Sequence, residues 1–276
     1  MDGNRHVLPI LAGGGTRLSA HVGILQALQD LDLTFTHLVG VSGGSIVAAL
    51  YATGKPVAEL YKLVLETQFS QFLGQSLITL IRKGGLSTGN IFEEWVDEQL
   101  DGACFKDLKM DLFIVASDVA TGEPVVFSKQ NSPDLKVSRA VRFSMSIPII
   151  FSFNQYKDHL LVDGSILSED ALLRDWAGDG TPAICFRLRS SANSVNCMKS
   201  HFPIVNYLTL LIRAFMTTMS REYVHNEFWH NTVVVDTGES SPITFSLSQQ
   251  QKADLYEIGY RTTMDVVPIK VLAHRN

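Results

Sequence analysis

The sequence predicts an α/β protein in which a mostly parallel central sheet lies between two layers of helices. Short apolar runs rich in β-branched residues alternate with stretches whose apolar residues recur at helical spacing. The first two apolar runs end in glycine-rich turns, which is typical of buried strands that lead into helices. No linker-like stretch and no shift in charge divides the chain, so we expect a single domain over residues 1–276.

The predicted elements begin as strand, helix and strand, continue with three helices, and then return to strands. The predicted strands cover residues 7–11, 35–41, 111–116, 125–127, 148–153, 183–188 and 232–235. The predicted helices cover a segment that starts at residue 19 and residues 45–51, 57–65, 91–100, 135–143, 203–229 and 249–267. Parallel sheets bind ligands beyond the carboxyl ends of their strands, so we expect the functional residues at the strand-to-helix turns.

The composition excludes several classes of protein. The chain has 276 residues, of which 46% are hydrophobic and 18% are charged, as in an ordinary globular protein. Its formal net charge is -5 and no run of Lys and Arg exceeds two residues, so we do not expect nucleic-acid binding. Cys104, Cys185 and Cys197 are odd in number and form no CxxC pair, which indicates a reducing compartment and small core residues.

The apolar segments are too short for a secretory signal or a membrane span. Glycines interrupt the apolar run at the start of the chain, and the apolar stretch 202–219 contains Asn206 and Arg213. We therefore expect a cytoplasmic protein, with transient contact with a membrane surface as an open alternative. The sequence gives no indication of the oligomeric state.

Ser42 is the candidate nucleophile. It is the central residue of Gly40-Val41-Ser42-Gly43-Gly44, a GxSxG pattern that follows a β-rich run and begins a helix. Small flanking residues allow a sharp turn that projects the hydroxyl group, and the helix N-terminus offers free N–H groups to an oxyanion. The alternative is a glycine-rich turn with a capping serine.

A second glycine-rich turn follows the first predicted strand. Gly13, Gly14 and Gly15 precede Thr16 and Arg17, and in a parallel sheet they lie at the same edge as Ser42. Backbone without Cβ atoms can direct N–H groups at a bound oxygen, which predicts an oxyanion hole beside the serine. A plain loop and a phosphate cradle are the alternatives, although neither GxGxxG nor a Walker-type GK[ST] is present.

The serine requires a base, and the sequence offers two kinds. An α/β-hydrolase triad would use a downstream histidine, but only 41 residues precede Ser42, too few for the strands of that fold. The histidines available for a triad are His201, His225, His230 and His274. The other candidate is Asp163, which follows an apolar strand and precedes Gly164. An isolated Asp-Gly is also typical of a turn.

Taken together, these elements resemble the patatin-like phospholipase family. That family has a GGGxR loop, a GxSxG turn about thirty residues later and a downstream D-G-[AG], which correspond here to residues 13–17, 40–44 and 163–165. The resemblance extends to residues 117–122 and 139–148 and to a closing helix at 259–260. Two positions depart from the pattern: Leu18 replaces a glycine, and Ser165 occupies the third position of D-G-[AG].

The resemblance implies a three-layer α/β/α fold and a Ser-Asp dyad that needs neither a metal nor a cofactor. Ser42 would attack the carbonyl of a phospholipid or another fatty-acyl ester, and Asp163 would accept its proton. The backbone of the triple-glycine loop and Gly43 would bind the oxyanion. Arg17 is either an anchor of the loop or a partner of the substrate phosphate. Acyl transfer, thioester cleavage and a catalytically silent regulatory or binding protein are the alternative functions.

An amphipathic segment lies between the third and fourth predicted helices. Its apolar residues fall on one helical face that ends in two cations, which is typical of a lipid-contacting helix or lid. A helix that packs against the core is the alternative, and the pattern favours it. The residues concerned are Phe69, Phe72, Leu73, Leu77, Leu80 and Ile81, followed by Arg82 and Lys83.

Overall fold

The computed structural model describes residues 6–74, 77–166, 174–190, 207, 210–211, 229–240 and 242–273. Within these ranges, ten strands lie in two sheets. They are β1 (Leu8–Ala12), β2 (His37–Val41), β3 (Gly85–Ser87), β4 (Asp111–Asp118), β5 (Pro124–Phe127), β6 (Ile149–Phe151), β7 (Asn154–Tyr156), β8 (His159–Asp163), β9 (Ala183–Arg189) and β10 (Thr232–Asp236). Strands β3 and β6 form a small parallel pair, and the other eight strands form the central sheet.

The central sheet is mixed but mostly parallel. Strands β10, β9, β1, β2 and β4 are adjacent in this order and all run parallel. Strands β5 and β8 are antiparallel to β4, and β7 forms an antiparallel pair with β8. The carboxyl ends of β1 and β2 therefore lie at the same edge of the sheet, as the sequence predicted.

Strands β2 and β8 meet end to end along one side of β4. Residues 111–115 of β4 pair with β2, residues 114–117 with β5 and residues 116–118 with β8. Each strand residue has one neighbouring strand on each side. Residues 114–115 of β4 pair with both β2 and β5, and residues 116–117 pair with both β8 and β5, so β5 occupies one side of β4 along this stretch. Strands β2 and β8 therefore lie on the same side of β4. Val41 pairs with Val115, and Asp163 pairs with the next residue, Ala116.

Seven helices surround the sheet in the described part of the chain. They are α1 (Leu18–Asp30), α2 (Gly43–Ala52), α3 (Val57–Glu66), α4 (Leu77–Lys83), α5 (Asn90–Gln99), α6 (Val137–Ser144) and α7 (Gln249–Ala273). Helix α1 packs closely along α7, where Gly259 approaches the backbone of Ala20. A glycine is needed at position 259 because a Cβ atom there would lie 2.1 Å from the carbonyl oxygen of Ala20.

Strands β1, β2 and β4 at the centre of the sheet bury both of their faces. Alternate residues of β4 enter two separate apolar clusters, with Leu112 and Ile114 in the larger one and Phe113 and Val115 in the smaller one. The larger cluster includes the apolar sides of α1, α2 and α6, and the smaller cluster includes Trp176. Two buried faces explain why these strands appear in the sequence as continuous apolar runs.

The predicted fold class, a three-layer α/β/α arrangement with a mostly parallel central sheet, is confirmed. Most predicted strands and helices agree with the structure to within a few residues, whereas the short strands β3 and β7 were not predicted. The run 148–153 forms β6 in the small sheet and not a strand of the central sheet. The predicted helix at 203–229 lies mostly outside the described residues, and the single domain stays a prediction.

The amphipathic segment is not one helix, which corrects the prediction. Residues Phe69–Phe72 form a short 3-10 turn, and Phe69 and Phe72 are buried in the core beside Trp95. Helix α4 starts later, and it exposes Ile78 and Ile81. The helical spacing of apolar residues in the sequence therefore runs across two separate segments, of which the first buries its apolar side chains and the second exposes Ile78 and Ile81.

Two smaller observations concern the cysteines and the membrane. Cys185 is buried as predicted, Cys104 is half-buried, and Cys197 lies outside the described residues. No helix in the described ranges is long and apolar enough to cross a membrane.

Candidate active site

Ser42 occupies a strained turn between β2 and α2. Its φ angle is +55°, a backbone conformation that residues other than glycine rarely adopt. The glycines around it are required by space, since a Cβ atom on Gly44 would lie 2.0 Å from the carbonyl oxygen of Leu11. The Ser42 N–H group donates to Ser144 Oγ at 2.9 Å, which fixes the turn from the side of α6.

Ser42 and Asp163 are in direct contact. The Ser42 hydroxyl group donates to Asp163 Oδ2 at 2.7 Å, and both side chains are buried. The end-to-end meeting of β2 and β8 explains this contact, because each residue lies at the carboxyl end of its strand. Gly164 is required next to Asp163, since a Cβ atom there would lie 2.1 Å from the carbonyl oxygen of Val115.

The other oxygen of the Asp163 carboxyl group is held by Ser165. The Ser165 N–H group and hydroxyl group donate to Asp163 Oδ1 at 2.9 and 2.5 Å. Burial raises the pKa of Asp163 above its usual range, while hydrogen bonds from Ser165 and Ser42 act in the opposite direction. The geometry thus leaves Oδ2 directed at the Ser42 hydroxyl group, and the environment makes the carboxylate a stronger base than an exposed aspartate.

The described residues contain no histidine hydrogen-bonded to Ser42. The Ser42 hydroxyl group contacts Asp163 and the sulfur atom of Met145 at 3.8 Å, and the Ser42 backbone contacts Ser144 and Ser45. His230 is exposed, and the other three candidates for a triad, His201, His225 and His274, lie outside the described residues.

The triple-glycine loop lies directly against the Ser42 turn. Gly13, Gly14 and Gly15 have φ angles of +71°, +106° and +55°. The Gly13 carbonyl oxygen accepts hydrogen bonds from Gly44 N–H and from His21 Nε2, both at 3.0 Å. This arrangement fixes the loop to the start of α2.

Gly13 differs from the other glycines predicted to bind an oxyanion. Its N–H group donates to the Val41 carbonyl oxygen at 3.1 Å and is not free to bind a ligand. By contrast, the N–H groups of Gly14, Gly15 and Gly43 donate to no acceptor within the described part of the chain. Gly43 must lack a side chain, because a Cβ atom there would lie 2.3 Å from the Gly15 carbonyl oxygen. We therefore leave Gly13 out of the candidate oxyanion donors and keep the other three.

Arg17 is buried inside the protein, and its hydrogen bonds favour the role of a loop anchor. Its Nε atom donates to the Gly14 carbonyl oxygen at 3.0 Å, and Nη1 donates to Thr237 Oγ1 at 2.5 Å and to the Ser240 carbonyl oxygen at 3.3 Å. Burial lowers its pKa to about 10, so the guanidinium group is charged at neutral pH. Contact with a substrate phosphate would require this buried group to leave its partners.

His21 supports the same loop and was not identified from the sequence. It is fully buried, and burial lowers its pKa to about 4, so the imidazole ring is neutral at neutral pH. Its Nδ1 atom has no hydrogen-bond partner among the described residues. No sequence signal distinguishes this histidine, since it occupies an otherwise ordinary position in α1.

A second buried arginine supports the base. Arg142 donates to the carbonyl oxygens of Thr88 and Ser152 at 2.7 and 2.9 Å and to Ser146 Oγ at 2.8 Å. The Ser146 carbonyl oxygen in turn accepts the Asp163 N–H at 3.0 Å. Arg142 belongs to the stretch 139–148 that resembles the family, but the sequence did not indicate this supporting role.

Ser144 connects the two halves of the site. It accepts the Ser42 N–H and donates its own hydroxyl hydrogen to the Val115 carbonyl oxygen at 2.6 Å. The hydrogen bonds of Ser144 and Ser146 give both residues a supporting role in the site. The described residues contain no group of three or more His, Cys, Asp or Glu side chains that could hold a metal ion.

Comparison with known proteins gives two full-length relatives without an assigned function. An uncharacterized protein, R571, of Acanthamoeba polyphaga mimivirus is 26% identical over 96% of this chain and 94% of its own length. The uncharacterized protein YqhO of Bacillus subtilis is 25% identical over 92% of this chain and 95% of its own length. An NTE family protein of Mycobacterium tuberculosis is 28% identical over 65% of this chain, which covers 30% of that protein.

Solved structures share the fold. VipD from Legionella pneumophila has a TM-score of 0.63 at 16% identity, covering 97% of this chain and 67% of VipD. The type III effector ExoU of Pseudomonas aeruginosa has a TM-score of 0.56 at 16% identity, covering 97% of this chain and 53% of ExoU. Human GIVD cytosolic phospholipase A2, in complex with methyl gamma-linolenyl fluorophosphonate, has a TM-score of 0.50 at 12% identity, covering 98% of this chain and 58% of that chain.

The family described as patatin-like phospholipase matches residues 10–173, which include the glycine loop, the Ser42 turn and Asp163. This match covers more than half of the chain and supports an activity in lipid hydrolysis. The chain belongs to the patatin-like phospholipase family.

Proposed function

We propose that this protein is a lipid acyl hydrolase of the phospholipase A or lysophospholipase type, which works through a Ser42–Asp163 dyad. The observation that carries the proposal is the 2.7 Å hydrogen bond from the Ser42 hydroxyl group to Asp163 Oδ2 at the junction of two strand ends. Family membership supports a fatty-acyl ester as the substrate class.

The first half of the reaction forms an acyl-enzyme. Ser42 Oγ attacks the ester carbonyl carbon while Asp163 Oδ2 takes the hydroxyl proton. The oxyanion receives hydrogen bonds from the N–H groups of Gly14, Gly15 and Gly43, and loss of one such donor costs about 10²- to 10³-fold in rate. When the tetrahedral intermediate collapses, the C–O bond to the leaving alcohol breaks, and the alcohol takes the proton from Asp163.

The second half of the reaction releases the fatty acid. Water donates a proton to Asp163 as its oxygen attacks the acyl carbon, and the same N–H groups bind the second oxyanion. Collapse breaks the bond to Ser42 Oγ, which recovers the proton from Asp163. Each proton taken by the carboxylate is returned within the same half-reaction, so one aspartate suffices as both base and acid.

The environment of Asp163 supports this role. A general base works best when its pKa approaches the working pH, and burial raises the pKa of Asp163 from that of an exposed carboxyl group. Two donors from Ser165 hold the opposite oxygen, so the reactive oxygen keeps its position relative to Ser42.

A fluorophosphonate probe tests the nucleophile, and a soluble chromogenic ester tests turnover. The experiment compares wild type with Ser42→Ala and Asp163→Asn, and uses the exposed Ser70→Ala and Asp254→Asn as matched controls. We expect labelling at Ser42 only, turnover lost in both site variants, and wild-type turnover in both controls.

The same assay separates the alternative functions. Labelling that persists in Ser42→Ala, or turnover that depends on His230 and not on Asp163, would contradict the dyad. A panel of phospholipids, lysophospholipids and acyl thioesters analysed for released fatty acid then identifies the substrate. Acyl transfer is recognised when an added alcohol captures the acyl group in place of water. Absence of both labelling and turnover would indicate a binding protein.

A further inference from the structure

We propose that α4 and Phe153 form a docking surface for an anionic lipid bilayer. The proposal rests on the proposed function in one respect only, which is that the docked lipid is also the source of substrate. We call Ile78, Ile81, Arg82, Lys83 and Phe153 the α4 patch.

The apolar side chains of the α4 patch are exposed to solvent and come from α4 and from the segment that contacts its end. Ile78 and Ile81 are separated by one helical turn and are 66% and 83% exposed. Phe153 is 50% exposed, and its ring covers Gly84 at the end of α4, where a Cβ atom would lie 2.7 Å from the ring. Grouped large apolar side chains in water are unfavourable and mark sites of contact with a partner or a membrane.

The charge around the α4 patch favours an anionic partner. Arg82 and Lys83 are exposed next to Ile81. Helix α4, strand β3 and residues 149–157, the segments that carry or adjoin the α4 patch, contain no Asp or Glu, although the whole chain carries a formal net charge of -5. Exposed apolar side chains flanked by cations suit the interface of an anionic bilayer, where the former enter the lipid and the latter contact the phosphates.

The α4 patch is connected to the catalytic base through a short series of contacts. Helix α4 leads into β3, which pairs with β6 immediately before Ser152 and Phe153. The carbonyl oxygen of Ser152 accepts a hydrogen bond from Arg142, which also binds Ser146, the residue whose carbonyl oxygen holds the Asp163 N–H. A bilayer bound at the patch would therefore contact the same segment that positions the base.

Vesicle sedimentation tests the docking surface separately from catalysis. All variants are made in the Ser42→Ala background so that lipid is not consumed, and vesicles of phosphatidylcholine with phosphatidylglycerol are compared with phosphatidylcholine alone. Ile81→Asp removes an apolar contact and adds a negative charge. Ile269→Asp is the matched control, because Ile269 is 68% exposed on a different helix, α7.

We expect binding to the anionic vesicles that weakens with salt and is weaker on phosphatidylcholine alone. Ile81→Asp and the double variant Arg82→Glu/Lys83→Glu should each lower the affinity at least about tenfold. Ile269→Asp should bind as its parent does. In the presence of Ser42, the Ile81→Asp variant should hydrolyse a soluble short-chain ester at the wild-type rate.

Three results would overturn the docking surface: unchanged binding by Ile81→Asp, an equal loss in Ile269→Asp, or self-association that disappears in Ile81→Asp without any vesicle binding. The last result would indicate a second copy of the chain as the occupant. Vesicle binding by a protein that neither labels nor turns over would count against the proposed function and leave the docking surface in place.

Discussion

The two halves of the candidate active site are built in different ways. The nucleophile half uses two short continuous segments, residues 12–17 and 40–45, each of which follows a strand of the parallel sheet. The base half combines residues from positions 88 to 165, which meet only in the folded protein. Local motifs therefore supply the nucleophile and the candidate oxyanion donors, which distant residues such as Ser144 and Thr237 hold in place, whereas the surroundings of the base are built from residues far apart in the chain.

Each half contains one buried arginine that donates to carbonyl and hydroxyl oxygens. Arg17 supports the glycine loop, Arg142 supports the segment before Asp163, and burial lowers the pKa of both to about 10. Burying a charge is unfavourable unless hydrogen bonds compensate it. Each arginine donates three such bonds to described residues and so ties together segments that are separate in the sequence.

Within the nucleophile half, the largest expected effect is a loss of activity when the oxyanion loop is displaced. A Cβ atom in Gly43→Ala would collide with the backbone of Gly15, which must move together with its N–H group. We expect kcat for the soluble ester to fall about 10²-fold or more, because oxyanion donors are displaced. Fluorophosphonate labelling should slow in parallel.

Gly259→Ala is the control for Gly43→Ala. It creates a similar backbone collision, with Ala20, at the crossing of α1 and α7. We expect a lower Tm with kcat per folded molecule unchanged. Equal losses of kcat in the two variants would show that general destabilisation, and not displacement of the loop, reduces the activity.

The next prediction concerns the base half, where we expect a substitution to raise the stability of the protein. Burial raises the pKa of Asp163, so folding favours its protonated form and the native carboxylate weakens the fold above that pKa. Asp163→Asn should therefore be inactive and yet have a higher Tm than wild type at about pH 8. The difference should shrink as the pH falls, because the wild-type carboxyl group becomes neutral as well.

Thermal unfolding over a range of pH measures this difference. The exposed Asp254→Asn should leave Tm unchanged. A lower Tm for Asp163→Asn at about pH 8, or a difference that grows in acid, would contradict the unfavourable burial of the carboxylate.

His21 provides a weaker test of the nucleophile half. Its pKa is about 4 in the folded protein against 6.5 for the free side chain, so the unfolded chain binds a proton first as the pH falls. This difference should cost the wild type about 2 kcal/mol of stability between about pH 6.5 and 5. His21→Gln keeps a donor for the Gly13 carbonyl oxygen and should remove this part of the pH dependence.

Urea unfolding at several pH values measures the effect of His21→Gln, and the exposed His230→Gln is the control. The activity of His21→Gln at neutral pH should stay near that of wild type, because the loop keeps its hydrogen bond. If the pH dependence of stability is the same in His21→Gln and wild type, the neutral buried histidine is not its source.

The sequence was sufficient where structure depends on nearby residues. Glycines after an apolar run predicted both turns, because sharp backbone turns require them, and the fold class followed from the alternation of elements. The sequence could not show that β2 and β8 meet end to end, since this depends on the register of three strands with β4. The sequence pattern also placed Phe69 and Ile81 in one helix. Helical spacing of apolar residues does not show whether a segment packs against the core or faces solvent, which depends on distant parts of the chain.

The smallest expected effect concerns Ser165, which contacts the base Asp163. Ser165 replaces the glycine or alanine of the family pattern, and its hydroxyl group donates to Asp163 Oδ1. Because this hydrogen bond favours the carboxylate, Ser165→Ala should raise the pKa of Asp163 further. The acidic limb of the kcat/KM profile should then move to higher pH, while the rate on the alkaline plateau changes little.

Ser165→Gly and Ser165→Thr distinguish the hydroxyl group from the size of the side chain. The glycine variant should behave like Ser165→Ala, and the threonine variant, which keeps a hydroxyl donor, should stay near wild type. A purely structural role would lower the rate equally at all pH values. A shift of the limb to lower pH in Ser165→Ala would mean that the serine hydroxyl group does not stabilise the charged base, and Asp163 would then owe its ionisation to Ser42 and the backbone.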